Sequence, residues 1–235
     1  EFYGRYAHIE SWVYQNNGRW LNAEKTKFAP NEAAIEAVMF LDSLIDEHGV
    51  APTPAEMDGV DNPFRQGLAA MWIDGAWNMG SNRDSGINFG IGPVPRGPQA
   101  EGDTAYGWSD LISVGASTEN PEEAWGLVNC VTGPNRTIDL VEDGKIPVYR
   151  PVALSDEWLE LDQLPTNKEF LLEWADNIGP TSFTPGWGEW RGYVAGAGLR
   201  GTLNEAFNGN MTIDEAVAAS GELANEVLGR FYDED

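Results

Sequence analysis

The segment 64–95, FRQGLAAMWIDGAWNMGSNRDSGINFGIGPVP, constrains the fold more than any other part of the chain. It holds two apolar runs of strand length, AAMWI and INFGIGPVP, separated by the turn Asp74-Gly75 and a polar stretch that fits one helical turn. Trp77 follows directly on that turn, with a glycine and a carboxylate beside it. A tryptophan just past a strand end is a large, flat, apolar surface held where a ligand can reach it. The same residue also fits a core tryptophan lying beneath the loop. Asp74 can accept hydrogen bonds from ligand hydroxyls, or serve only as the first residue of an Asp-Gly turn. Trp72 alternates with Met71 inside the first run and fits the core.

Helices are legible on both sides of this segment. Asn31 is placed to cap a helix whose apolar stripe is Ile35, Val38, Met39, Leu41 and Ile45, ended by Gly49 and Pro52. Asn120-Pro121-Glu122-Glu123 starts another, with an N-cap, a proline in the first turn and acids at the positive dipole end. That helix is expected to end at Gly133-Pro134, with a further helical stretch from Arg136 to Glu142 and a turn at Asp143-Gly144. LISVGA, within TAYGWSDLISVGAST, predicts a strand. The last third reads as helical: KEFLLEWADN, roughly Trp187 to Phe207, and Thr212 to Phe231, the last opened by a capping box from Thr212 to Glu215. Cys130 lies on the apolar face of AWGLVNCV and is expected to be a small buried hydrophobe. An early turn is expected at Asn17-Gly18.

Charge sets the surface. Against 38 Asp and Glu stand 14 Lys and Arg, for a net charge of −24, and the only lysines are Lys25, Lys27, Lys145 and Lys168. The acids are spread along the chain, so they coat the surface instead of forming a tail. Such a field repels nucleic acid and anionic membranes, which speaks against nucleic acid as a partner. It reads as adaptation to high salinity, or as the ordinary acidity of an exported protein. The first reading predicts a melting temperature that climbs with salt and a fold lost at low ionic strength, because screening relieves the repulsion. A melting curve insensitive to salt leaves only the second. No apolar run approaches the ~20 residues that cross a bilayer, and EFYGRYAHIESW has neither the basic head nor the apolar core of a signal peptide.

The phrases AAMWIDGAWN and FGIGPVPRGP, in one order, resemble the extracellular solute-binding proteins of ABC importers, in the carbohydrate type that includes the maltose-binding protein. NEAAIEAVMFLDSLIDEHGVAP before them and TIDEAVAASGELANEVL near the end resemble the corresponding helices of that family. The resemblance implies an α/β fold of the type II periplasmic-binding-protein kind. This chain would supply a helix-rich C-terminal lobe and a crossover segment belonging to the other lobe. The implied organisation is 1–104 as the first part of the C-terminal lobe, 105–153 as the crossover packed on the N-terminal lobe, and 154–235 as the helical remainder. Most of the N-terminal lobe, the export signal and the lipid anchor would lie outside the chain. The implied function is non-enzymatic: capture of a sugar or oligosaccharide in an aromatic-lined cleft between lobes, hinge closure near Ala105 and Ala153, and delivery to the transmembrane permease. Location would be extracytoplasmic, with no cofactor.

The resemblance also designates ligand-binding residues. Trp77 would stack on a sugar ring, with Asp74 beside it. Tyr106, Gly107, Trp108 and Ser109 lie where the chain crosses between lobes; hinge packing would use the same residues. Trp187 and Trp190, three apart, share a helical face and would line the cleft; Trp190 can equally begin an apolar stripe running through Val194. Arg191 can donate a bidentate pair to hydroxyls or a carboxylate, or join a surface salt bridge. His8, Glu10 and Trp12 precede the phrase YQNNG, which often follows ligand contacts in the family.

Other chemistry leaves few traces. His8 and His48 fit no zinc spacing, and neither a nucleophile elbow, a P-loop nor a dinucleotide-binding glycine motif occurs. Abundant carboxylates keep a second class open, a glycosidase with paired acids in a tryptophan-lined cleft. Turnover of an oligosaccharide would distinguish it from a binding protein. The sequons Asn135-Arg136-Thr137 and Asn210-Met211-Thr212 are weak glycosylation signals.

Overall fold

The computed structural model describes residues 6–133, 145–160, 163–179, 181–192 and 198–232. The helical stretch expected from Arg136 to Glu142, the turn at Asp143-Gly144, the sequon at Asn135 and the stripe position Val194 lie outside them. The chain divides into two compact units. The first is Glu1–Ile73, Val94–Tyr106 and Ile178–Asp235; the second is Asp74–Pro93 and Gly107–Asn177. The segment 105–153 thus falls almost wholly in the second unit, together with 74–93 and 154–177.

The first unit is a helical assembly. Its described elements are α1 (Tyr6–Gln15) and α2 (Glu32–Asp46), then one turn of helix at Trp187–Trp190, then a helix at Gly198–Phe207 and a long one at Ile213–Tyr232. α2 begins as its sequence dictates, with the Asn31 side chain accepting from the Ala34 amide at 3.2 Å. Ala34, Val38 and Leu41 are buried, but Met39 is exposed, because the buried face turns toward Ala33, Ala34 and Ala37. Asn17 takes the left-handed conformation, φ 59°, that the expected turn requires.

The terminal helix buries Ile213, Ala216, Val217, Ser220, Ala224, Val227 and Leu228, a stripe of 3.6-residue period. Its capping box is formed. The Thr212 amide donates to Glu215 Oε2 at 2.8 Å, and the Glu215 amide to Thr212 Oγ1 at 3.2 Å. The Thr212 amide and hydroxyl hold the Glu215 carboxyl below its ordinary value. These helices close around Trp20, Phe28, Trp190, Leu199, Leu203 and Phe207. The stretch expected as one helix from Trp187 to Phe207 is two described helices.

The expected strands do not form sheets. Among the described residues, β pairing is confined to two isolated bridges, Leu21 with Phe28 and Ala105 with Ile178. AAMWI, INFGIGPVP and LISVGA carry no ladder, because a strand is completed by a neighbour's backbone groups and none lies alongside. Side-chain amides do part of that work. Asn167 donates from Nδ2 to the Ile91 carbonyl at 2.7 Å and accepts from the Ile91 amide at 3.2 Å, imitating one rung of a ladder. Gln15 does the same in the first unit, donating to the Val94 carbonyl at 2.6 Å and accepting from the Thr104 amide at 3.0 Å.

The second unit carries a 3-10 turn at Ala76–Asn78 and the helices α3 (Met79–Asp84), α4 (Pro121–Thr132), α5 (Arg150–Ala153), α6 (Asp156–Leu159) and α7 (Phe170–Ala175). α7 realises part of the helix expected in KEFLLEWADN. α4 starts at Pro121 as its sequence indicates, but the Asn120 side chain makes no capping bond; the Asn120 amide instead donates to Thr118 Oγ1 at 3.2 Å. No residue of α4 is buried, and Cys130 is exposed, contrary to its apolar setting in the sequence. The face on which Cys130 would be covered has no layer over it among the described residues. By the same numbering, the first unit's helices at Trp187–Trp190, Gly198–Phe207 and Ile213–Tyr232 are α8, α9 and α10.

Candidate functional site

In the second unit the turn after Asp74 is built by its own side chains. Asp74 Oδ1 accepts from the Gly75 amide at 2.7 Å, and Oδ2 accepts from Asn78 Nδ2 at 2.5 Å. The Asn78 amide closes the turn onto the Gly75 carbonyl at 3.1 Å. Trp77 lies inside this loop, and its ring packs on the backbone of Gly75. A Cβ at position 75 would stand 2.1 Å from that ring, so only glycine allows the indole to settle there.

The ring does not stand alone. Trp77 and Trp108 meet with centroids 5.4 Å apart and planes inclined by 48°. Both are half-buried, Gly107 is half-buried and Ser109 is exposed. Two inclined indoles present a rigid apolar wedge whose cost in side-chain entropy is met before any ligand arrives. Beside it stands the Asp74 carboxylate, a group that by type accepts hydrogen bonds from hydroxyls. That combination suits a polyol with one apolar C–H face.

The other designated residues belong to the first unit. Tyr106 packs on Tyr14, centroids 5.6 Å apart. Trp12, on α1, packs on Phe40 of α2 at 5.3 Å, and Trp187 meets Phe183 edge-on at 4.8 Å. All three are partly buried against the core. His8 lies on α1. Trp190 and Arg191 depart from expectation: they are core residues, 0% and 1% exposed. Arg191 does make a bidentate pair, but with the buried carboxylate of Glu10, Nε to Oε1 at 2.6 Å and Nη2 to Oε2 at 2.5 Å. Burial works against the guanidinium charge, but Glu10 outweighs it and holds the Arg191 pKa above its ordinary value. The surface salt bridge considered for Arg191 is therefore an internal one.

Tyr14 closes this buried group. Its hydroxyl donates to Ser182 Oγ at 3.4 Å. Burial, aided by the nearby Glu10 charge, pushes its pKa from 10.0 up to about 12. Because the folded value is the higher, stability from Tyr14 is fully present below pH 10 and is lost as pH rises toward about 12. Alkaline absorbance titration is expected to show one tyrosine ionising near pH 12, and Tyr14→Phe to remove that step. A titration unchanged by Tyr14→Phe would contradict this.

Asn78, which holds Asp74, escaped the sequence reading, although its i+4 spacing from Asp74 marked it. Among the described residues, no group of three or more His, Cys, Asp or Glu is placed to hold a metal ion.

The family model of the bacterial extracellular solute-binding proteins matches residues 4–135, more than half of the chain. The chain belongs to this family. A maltotriose-binding protein of Pyrococcus abyssi is 34% identical over 113 residues, 46% of this chain and 25% of its relative. Two solved solute-binding folds cover nearly the whole chain. The cyclic alpha-maltosyl-1,6-maltose binding protein of Arthrobacter globiformis superposes with TM-score 0.71 at 21% identity, over 95% of this chain and 56% of its own. An ABC substrate-binding protein of Listeria monocytogenes in complex with cycloalternan gives 0.74 at 19%, over 94% and 56%. The fold of this solute-binding protein is thus the type II periplasmic-binding-protein one, rich in helix and poor in strand. The chain spans about a quarter of the curated relative and little more than half of each solved chain.

Proposed function

We propose that this solute-binding protein captures a maltooligosaccharide-type carbohydrate for an ABC importer, stacking a sugar ring on the Trp77–Trp108 wedge with Asp74 taking its hydroxyls. The observation that carries this reading is the meeting of two tryptophans, distant in sequence, on a loop that only glycine at position 75 permits. The relatives support the ligand class, since a maltotriose binder and binders of cyclic maltosyl sugar and cycloalternan share the sequence or the fold. A neutral sugar also suits a chain of charge −24, which repels anionic solutes. The work is binding without turnover, outside the membrane, with the permease subunits of the importer as partners. No helix among the described residues is long and apolar enough to cross a membrane.

The uncovered apolar face of the second unit has a place in this reading. Leu111 is 86% exposed and Trp125 59%, and a groove between 112–118 and α4 is lined by Ile112, Val114, Leu127, Val128 and Val131. In this reading the face is covered, in the whole binding protein, by packing of this part of the 105–153 segment against the other lobe.

Incubation with maltotriose and maltopentaose separates the two function classes. Saturable binding with the sugar recovered intact supports the transporter reading. Shortened products would replace it with a glycosidase.

A further inference from the structure

The Trp77–Trp108 wedge rests on short elements: one 3-10 turn and the six-residue α3, too short to hold their own shape. What fastens α3 is the Arg83 side chain. Arg83, in its last turn, donates from Nε to the Leu164 carbonyl at 2.8 Å and from Nη2 to Glu160 Oε2 at 3.3 Å. The same Glu160 oxygen accepts from Lys168 Nζ at 3.0 Å. Lys168 is 3% exposed, donates also to the Trp158 carbonyl at 2.5 Å, and sits 4.5 Å from the centre of the Trp158 ring. Glu160 reaches both cations from a left-handed backbone, φ 45°, an uncommon conformation for a glutamate. Beyond α3, the Asn167 amide clamps Ile91. Glu160, Leu164 and Asn167 therefore grip the tryptophan-bearing segment at α3 and again after it.

We propose that Glu160 is a positioning residue for ligand binding: through Arg83 it fixes α3, and with it the Trp77 ring against Trp108. Glu160 lies 77 residues from Arg83 in sequence and acts through it. This rests on the sugar-stacking reading above, but its first test needs no sugar. Burial opposes the Glu160 charge, yet the Lys168 hydrogen bond and the Lys168 and Arg83 charges hold its pKa below the usual carboxylate value, so the grip is ionic at neutral pH.

Close tryptophan pairs give exciton-coupled circular dichroism, and the part due to this pair is the signal removed by Trp77→Phe. Glu160→Gln and Arg83→Met are expected to remove most of that part while unfolding stays cooperative. Both are expected to weaken maltotriose binding by about tenfold. Arg83→Lys, which keeps the charge, is expected to restore a good share of the signal. Arg83 is half-buried and its removal leaves the Lys168–Glu160 pair in place, so that variant carries the test should Glu160→Gln not fold. A Trp77-dependent signal of wild-type size in Arg83→Met overturns the proposal. If the wild type binds no maltotriose and the variants still lose the signal, the positioning role stands and the ligand reading fails.

Discussion

Glu10→Ala is expected to destabilise the first unit by about 3–5 kcal/mol, because it strands the Arg191 charge in the core. Both groups are within 1% of full burial, and the two bonds between them are short and parallel. The net worth of the intact pair is far smaller than that loss, since desolvation offsets most of the attraction. The double substitution Glu10→Leu with Arg191→Met, which removes both charges, is therefore expected to recover much of the stability. Urea denaturation of the three variants checks this. A loss under about 1 kcal/mol in Glu10→Ala would mean that the guanidinium finds water or another partner.

Trp190→Ala is expected to cost about 3–5 kcal/mol as well, by opening a cavity in the middle of the same core. The ring is 0% exposed, lies edge-on to Phe28 at 6.1 Å, and donates from Nε1 to Thr184 Oγ1 at 3.0 Å. Gly186, left-handed at φ 69°, lets the chain enter α8 against Val227 and so sets Trp190 inward. A ligand-contacting tryptophan would behave in the opposite way, with weakened binding and a nearly unchanged melting temperature. That outcome would return Trp190 to the site.

These two predictions mark where the sequence misleads. Trp187 and Trp190 share a face by spacing, and glycines beside them suggest an open loop. What Arg191 pairs with is Glu10, 181 residues away, and no local pattern announces a partner at that distance. Local signals fared better. Asn31, the Thr212–Glu215 box and the stripe of the last helix act over four residues or fewer per contact, and each is formed. The strands failed for the converse reason. AAMWI and LISVGA have the right composition, but a ladder needs a partner strand, and the chain spans little more than half of each solved relative. In the site, Trp77 and Trp108 were both legible as aromatics beside glycine. Their pairing was not, because it depends on Gly75 leaving room for a ring and on α3 being held from 160–168.

A sugar is expected to stack on this pair. Calorimetric titration of the chain and of Trp77→Ala with maltotriose tests it most directly. Saturable binding to the wild type is expected, weakened by about 1–3 kcal/mol in Trp77→Ala with stability little changed. Equal affinity in the two proteins, or no saturable binding by the wild type, would contradict it.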